Sequence, residues 1–455
     1  MESQTVEQLS ECFIKPSHLP EDWKQTIHLT PSDLGLLSVH YIQKGLLFKK
    51  SPLLSIPDFL ERLKLSLSVT LAHFYPLAGR LATKKTLDPH SYVVYIDCVN
   101  SPGAKFVHSK VHLSVSDILS PTYVPCIVEH FFDHYKAVNH DGHTLSLLTL
   151  QVTELTDGVF IGCSQNHCVA DGTSYWQFVN TLSEVFQDEK LGNEEEVALN
   201  VISRPPYHER WFPDGCGPFC SLPFTHQDQF ISRYEAPELQ VRIFHFSVAA
   251  LARIKAKANA LCKDRGITIS SLQALSALIW RCVIRVRGLP KDDISRCNTS
   301  VNIRSRLEPP LPPHYYGNCI QTVGAVTTAG ELLENDLGWA AAQLTEAIAK
   351  HDDKAARERL MKWLQNPSFY QFRLLLNPGV VMFGSSPRFN MYGNEFGLGK
   401  AVAVLSGHDN KFDGKGTLYP GLQGGGSIDV DLCLYPHSMS ALEKDHEFLD
   451  ALNFS

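Results

Sequence analysis

Between Gln187 and Phe230 the chain loses its periodic pattern, and this break limits the fold more than any other feature. An acidic run, Glu194-Glu195-Glu196, is followed by Pro205-Pro206, Pro213-Asp214-Gly215, Gly217-Pro218 and Pro223. Proline lacks a backbone donor and fixes φ, so neither a long helix nor a central strand fits here. A stretch of this length and texture is a connection between globular bodies. The 455 residues are 44% hydrophobic and 20% charged, which supplies apolar material for a core on each side. The expected organisation is therefore a domain at 1–186, a linker at 187–230 and a second domain at 231–455.

Both halves mix helix and strand. Residues 60–72 repeat apolar side chains at helical spacing and stop at Phe74-Tyr75-Pro76-Leu77-Ala78-Gly79-Arg80, where Pro and Gly interrupt the pattern. Residues 91–99 are β-branched and aromatic, which predicts a strand. Residues 145–154 and 159–165 predict a strand pair turned at Thr156-Asp157-Gly158, with a helix over 174–186 after it. Beyond the linker, strands are expected at 241–248 and 427–434, and helices at 249–260, 270–287 and 439–452. No repeat of fixed period occurs, which excludes solenoids and propellers.

Charge and composition narrow the partners. With 41 basic against 48 acidic residues the net charge is −7, which argues against nucleic acid as the main partner. No uncharged apolar run approaches the roughly 20 residues of a membrane span, and no basic-then-apolar leader opens the chain. The twelve cysteines are scattered and form no CxxC pair, so no metal is expected. Scattered thiols without a leader fit a cytoplasmic protein.

His-x-x-x-Asp occurs three times, as His18/Asp22, His167/Asp171 and His446/Asp450. The first lies in a proline-containing loop. The third lies on a charged terminal helix, where an i,i+4 surface pair contributes roughly a few tenths of a kcal/mol. His167 differs, because it ends an apolar strand and precedes Asp171-Gly172 and a helix. Such a turn presents side chains at a cleft. An imidazole accepts a proton near neutral pH and so activates a hydroxyl or amine. From these residues alone His167 as a core histidine and Asp171 as a helix cap stay open.

His167-Cys168-Val169-Ala170-Asp171-Gly172 resembles the HxxxDG signature of the plant BAHD acyltransferases. Five further segments resemble that family in the same order: Leu29-Thr30-Pro31-Ser32-Asp33; Phe74 to Leu81; Ala277-Leu278-Ile279-Trp280-Arg281; Val301 to Arg306 with Pro309-Pro310-Leu311-Pro312 and Tyr316-Gly317-Asn318; and Asn394 to Lys400. The resemblance implies an α/β fold of two chloramphenicol-acetyltransferase-like domains. Each is a mixed β-sheet flanked by helices, and the active-site channel lies at their interface. It implies transfer of an acyl group from a CoA thioester to a hydroxyl or amine of a small specialised metabolite. His167 would be the general base, acyl-CoA a co-substrate, no cofactor permanently bound, and the protein a monomer with no membrane or nucleic-acid partner.

The resemblance also assigns residues. Asp171 turns away from the channel and pairs with Arg281. The block with Glu395, Gly397 and Gly399 is structural, although Glu395 stands where Asp is usual and Leu398 where Trp is usual. Asn302 likewise stands where Asp is common. Lys255, Lys257, Ser270 and Ser271 match CoA contacts, with helix capping as the other role of the serine pair. Gly384-Ser385-Ser386-Pro387-Arg388 replaces the family's Thr-Ser-Trp stretch, so the pocket should differ in shape and polarity. Arg388 is either a contact for an acidic ligand or a solvated surface residue. Ser385 and Asn318 are the candidates for oxyanion donors. The alternative activity is a CoA-independent lyase acting on a small carboxylic-acid conjugate on the same fold, and a third reading is a binding protein without turnover.

Overall fold

Strand Gly158–Gln165 is buried at every position, as a run of apolar and small residues without a solvated face must be. In this computed structural model, which describes residues 5–188, 191, 202–263, 266–371 and 377–452, that strand lies inside a six-stranded sheet. The order is Glu7–Ile14, Ala104–Lys110, Leu148–Glu154, Gly158–Gln165, Ile42–Lys49, Ala403–Ser406. The sheet is mixed: Ala104–Lys110 runs parallel to Leu148–Glu154, and the other neighbours are antiparallel. Its last strand comes from the far half of the chain, with Val404 opposite Leu46. A piece of 231–455 thus completes the sheet of the first half.

A second six-stranded sheet has the order Ile320–Thr328, Ile294–Asn302, Val380–Gly384, Lys415–Pro420, Ile428–Leu434, Gln240–Phe246. It is also mixed, with Val380–Gly384 parallel to both of its neighbours. A three-stranded sheet of Thr26–His28, His90–Asp97 and Arg80–Leu87 flanks the first half. Two mixed sheets flanked by helices are the architecture expected from the sequence.

The helices follow their caps and apolar stripes. Ile56–His73 opens on Ser55 and buries Phe59, Leu60, Leu63, Leu67 and Leu71 on one face. Ser271–Arg287 opens on a Ser270/Gln273 capping box and stops at Gly288, whose φ of 61° suits glycine. Its Trp280 is fully buried and donates from Nε1 to Ser295 Oγ at 2.7 Å. The single terminal helix expected at 439–452 is instead two, Pro436–Leu442 and His446–Leu452. Asp445 caps the second by accepting from Phe448 N while it pairs with Arg285, and this breaks the run.

In the described part of the segment expected as a linker, Leu222 bridges to Tyr92 and Tyr207 to Tyr315. The segment's acidic run at 194–196 lies outside the described residues. No described helix is long and apolar enough to cross a membrane.

Candidate active site

His167 stands two residues beyond strand Gly158–Gln165 and five before helix Gly172–Gln187. The turn is held tightly. His167 N donates to Asn139 Oδ1 at 2.6 Å, and Cys168 N to Asn166 Oδ1 at 3.0 Å. Cys168, Val169 and Ala170 are fully buried. The imidazole itself is only half-buried. It opens on a cavity of about 1120 Å³, lined from the first sheet by Ile42 and Lys44 and from the second by Asn298, Met382 and Thr417. The space is somewhat larger than ordinary ligand cavities of about 300–1,000 Å³.

The ring's tautomer follows from its neighbours. Asn318 Nδ2 donates to Asp33 Oδ1 at 2.9 Å and to the His167 carbonyl at 2.6 Å. Both amide hydrogens are engaged, so Asn318 Oδ1 faces His167 Nδ1 at 3.2 Å and accepts from it. Nδ1 therefore carries the hydrogen, and Nε2 keeps a lone pair. Asp33 is fully buried and also accepts from Thr30 N and Thr30 Oγ1, so the Leu29–Asp33 segment fixes Asn318. Asn318 was expected as an oxyanion donor; here both of its N–H groups are engaged by Asp33 and the His167 carbonyl, and its oxygen faces the imidazole. Burial lowers the His167 pKa below the ordinary imidazole value, against weaker opposition from its own carbonyl, Asp409 and Asp171. If the ring serves as a base, Asn318→Ala is expected to lower kcat about tenfold or more with little change in KM, because a tautomer error acts on proton transfer rather than on binding. Steady-state kinetics on both parameters checks it.

Asp171 is fully buried and turned away from the cavity. Its Oδ1 accepts from Thr173 N and Ser174 N, capping the helix. It also pairs with an arginine, but not the one expected. Arg304 donates from Nη1 to Asp171 Oδ2 at 2.7 Å and from Nη2 to Oδ1 at 3.0 Å. Arg281 instead donates to the carbonyls of Leu332 and Asn335 and approaches Glu447 at 4.0 Å. The reason is placement. Arg281 rides on Ser271–Arg287, which packs among helices of the second half. Arg304 follows strand Ile294–Asn302 and reaches the segment that carries Gly317 and Asn318.

The other expected residues divide. Ser385 lines the cavity at the end of Val380–Gly384, with a left-handed φ of 66°. Arg388 is exposed and off the cavity. Glu395 is exposed, while Gly397 and Gly399 take φ of 67° and 78°. Phe396, between Glu395 and Gly397, is buried against Phe48 and Phe186, with ring centres 6.4 and 5.8 Å away. The block pins the chain to the first half just before Ala403–Ser406, and none of it lines the cavity. Lys255 and Lys257 are exposed, Ser270 caps its helix, and Ser271 is half-buried. None of these four lines the cavity, although Leu272 does. His446 is exposed.

Sequence reasoning missed a charged group on the cavity wall. Lys44 is 6% exposed; its Nζ pairs with the Asp409 carboxylate and donates to Ser406 Oγ at 2.9 Å. Burial raises the Asp409 pKa, but Lys44, Lys415 and His167 together bring it below the usual carboxylate range. The signal was present: a lysine inside the apolar strand Ile42–Lys49 requires a buried counter-charge.

The family described as Transferase family matches residues 4–449. The chain is similar to an uncharacterised acetyltransferase of Arabidopsis thaliana, 36% identical over 97% of this chain and 98% of that one. It is similar to the BAHD acyltransferase DCR of Arabidopsis thaliana, 34% identical over 97% of this chain and 92% of that one. Its fold is similar to that of F. sporotrichioides TRI101 complexed with coenzyme A and T-2. That likeness has a TM-score of 0.71 and 18% identity, and covers 94% of this chain and 99% of that one.

Proposed function

The chain belongs to the Transferase family, the BAHD acyltransferases, and from that premise we propose that it moves an acyl group from a CoA thioester to a hydroxyl or amine of a small metabolite, with His167 Nε2 as general base. The observation that carries the reading is the Asn318 lock, which leaves a lone pair on a ring that opens on the cavity. An alcohol with a pKa far above neutrality is a poor nucleophile. Nε2 takes its proton as the oxygen attacks the thioester carbonyl. The tetrahedral intermediate collapses, and the imidazolium returns the proton to the departing CoA thiolate. Both substrates meet in one cavity, so no acyl-enzyme is required. The TRI101 complex with coenzyme A and T-2 supports the choice of donor.

The direct test is a panel of acyl-CoA thioesters crossed with alcohol and amine acceptors, read by mass spectrometry, together with calorimetric titration of CoA. Absence of both product and CoA binding would sink the proposal. The pH profile is a second check. Because burial lowers the His167 pKa from 6.5, the neutral base persists below that pH. The acid limb of kcat/KM is expected to have its midpoint below pH 6.5. A limb centred above that value would contradict the assignment.

A further inference from the structure

The chain carries a net charge of −7, yet among the described residues its cavity presents Lys44, Arg359, Lys362 and Lys415 against one carboxylate, Asp409. Arg359 and Lys362 are exposed on helix Asp353–Gln365 and form part of the rim. They suit charges that stay near solvent, such as the phosphates of a CoA thioester. The interior is different. Lys44 is committed to Asp409 and Ser406. Lys415 opens strand Lys415–Pro420 and is half-buried. No hydrogen bond or ion pair engages its Nζ among the described residues. Its ammonium passes over Gly384, where an added Cβ would stand 3.4 Å from Nζ.

Two interior ammonium groups thus share one carboxylate. An ammonium partly withdrawn from water and without its own counter-ion is stabilised when an anion joins it. Burial presses the Lys415 pKa down while Asp409 holds it up. Lys415, Asp409 and His167 line the same cavity, and Lys415 Nζ lies against Gly384 at the end of Val380–Gly384, so an anion arriving here is held on the second sheet rather than by the rim helix.

We propose that the cavity is built for a substrate that carries a carboxylate close to its reacting group, received by Lys415 beside the fixed Lys44–Asp409 pair. The proposal rests on the acyl-transfer reading for what reacts, but not for what binds. The carboxylate belongs either to the acyl group of the donor or to the acceptor. Lys415 is then a specificity-determining residue, and it discriminates by charge. An uncharged analogue forfeits a charge-assisted hydrogen bond and leaves the ammonium without a partner.

Two arms separate the sources. In the donor arm, succinyl-CoA is compared with butyryl-CoA on one neutral alcohol. In the acceptor arm, 3-(4-hydroxyphenyl)propionate is compared with its methyl ester, using acetyl-CoA. The wild-type protein is expected to favour the charged member of one pair by about tenfold or more in kcat/KM. Lys415→Met is expected to reduce that ratio toward one, and Lys415→Arg to keep it. Calorimetric binding of the same pairs to His167→Ala, with and without Lys415→Met, reads the preference without turnover. It therefore stands or falls apart from the base assignment. Lack of charge preference in both arms, by turnover and by binding, overturns the proposal. So does an equal loss on charged and neutral members in Lys415→Met, which would make Lys415 a stabiliser of the oxyanion instead.

Discussion

Replacing His167 by alanine is expected to lower kcat by about 10²–10⁴-fold, the range that a positioned general base contributes. The turn around it should survive. Asn139 binds the His167 backbone N–H rather than the ring, and the buried Cys168-Val169-Ala170 segment anchors the chain beyond it. CoA binding should therefore persist, and a thermal melt should stay close to that of the wild type. Residual activity would come from holding donor and acceptor together in one cavity. The acid limb of the pH profile should disappear, since no other imidazole among the described residues lines that cavity. His167→Gln tests the chemistry further, because it restores bulk and a hydrogen-bond donor but no base near pH 7. A loss below about tenfold in both variants would remove His167 from its role.

The same residue shows what a linear sequence makes legible. Strand, turn and helix around His167 all follow from local pattern, because an apolar run, a capping Asp and an amphipathic stretch are neighbours in sequence. The strand pair Leu148–Glu154 and Gly158–Gln165 and the helix Ser271–Arg287 are legible for the same reason. Long-range partners are not. Arg304 and Arg281 are both arginines within recognisable segments, and nothing local says which of them meets Asp171. Only the path of the chain after Asn302 decides it. Asp409 is harder still: it follows Ala403–Ser406, a strand that leaves its own half to complete the other sheet. The sequence pattern predicts no strand at Ala403–Ser406, and local periodicity carries no information on which sheet a strand joins. The role of Asn318 needed the amide's two donors to be placed against Asp33 and a carbonyl, which only coordinates supply.

Removing Arg304 should be strongly destabilising. Asp171 is fully buried, and Arg304 is its charge partner at two points. Breaking a buried pair from one side leaves an uncompensated charge and costs about 3–5 kcal/mol. The guanidinium also donates to the Gly317 carbonyl at 2.8 Å, and Asp171 accepts from Cys319 N at 2.9 Å. These bonds clamp the residues on either side of Asn318, so Arg304→Met should lower kcat as well as unfolding free energy. Asp171→Asn removes the charge from the other side, and the double variant should cost less than the sum of the two singles. Arg281→Met, which touches neither partner, should add independently with Asp171→Asn. The pH dependence has a definite sign. Burial raises the Asp171 pKa, but Arg304 and the hydrogen bonds from Cys319 and Ser174 bring it below the ordinary 3.8. The pair's contribution is thus complete above that value and is lost as pH falls through the lower folded-state pKa. Urea unfolding at neutral pH and again in acid measures both effects. Additive single losses at Asp171 and Arg304 would show that the two do not act as a pair.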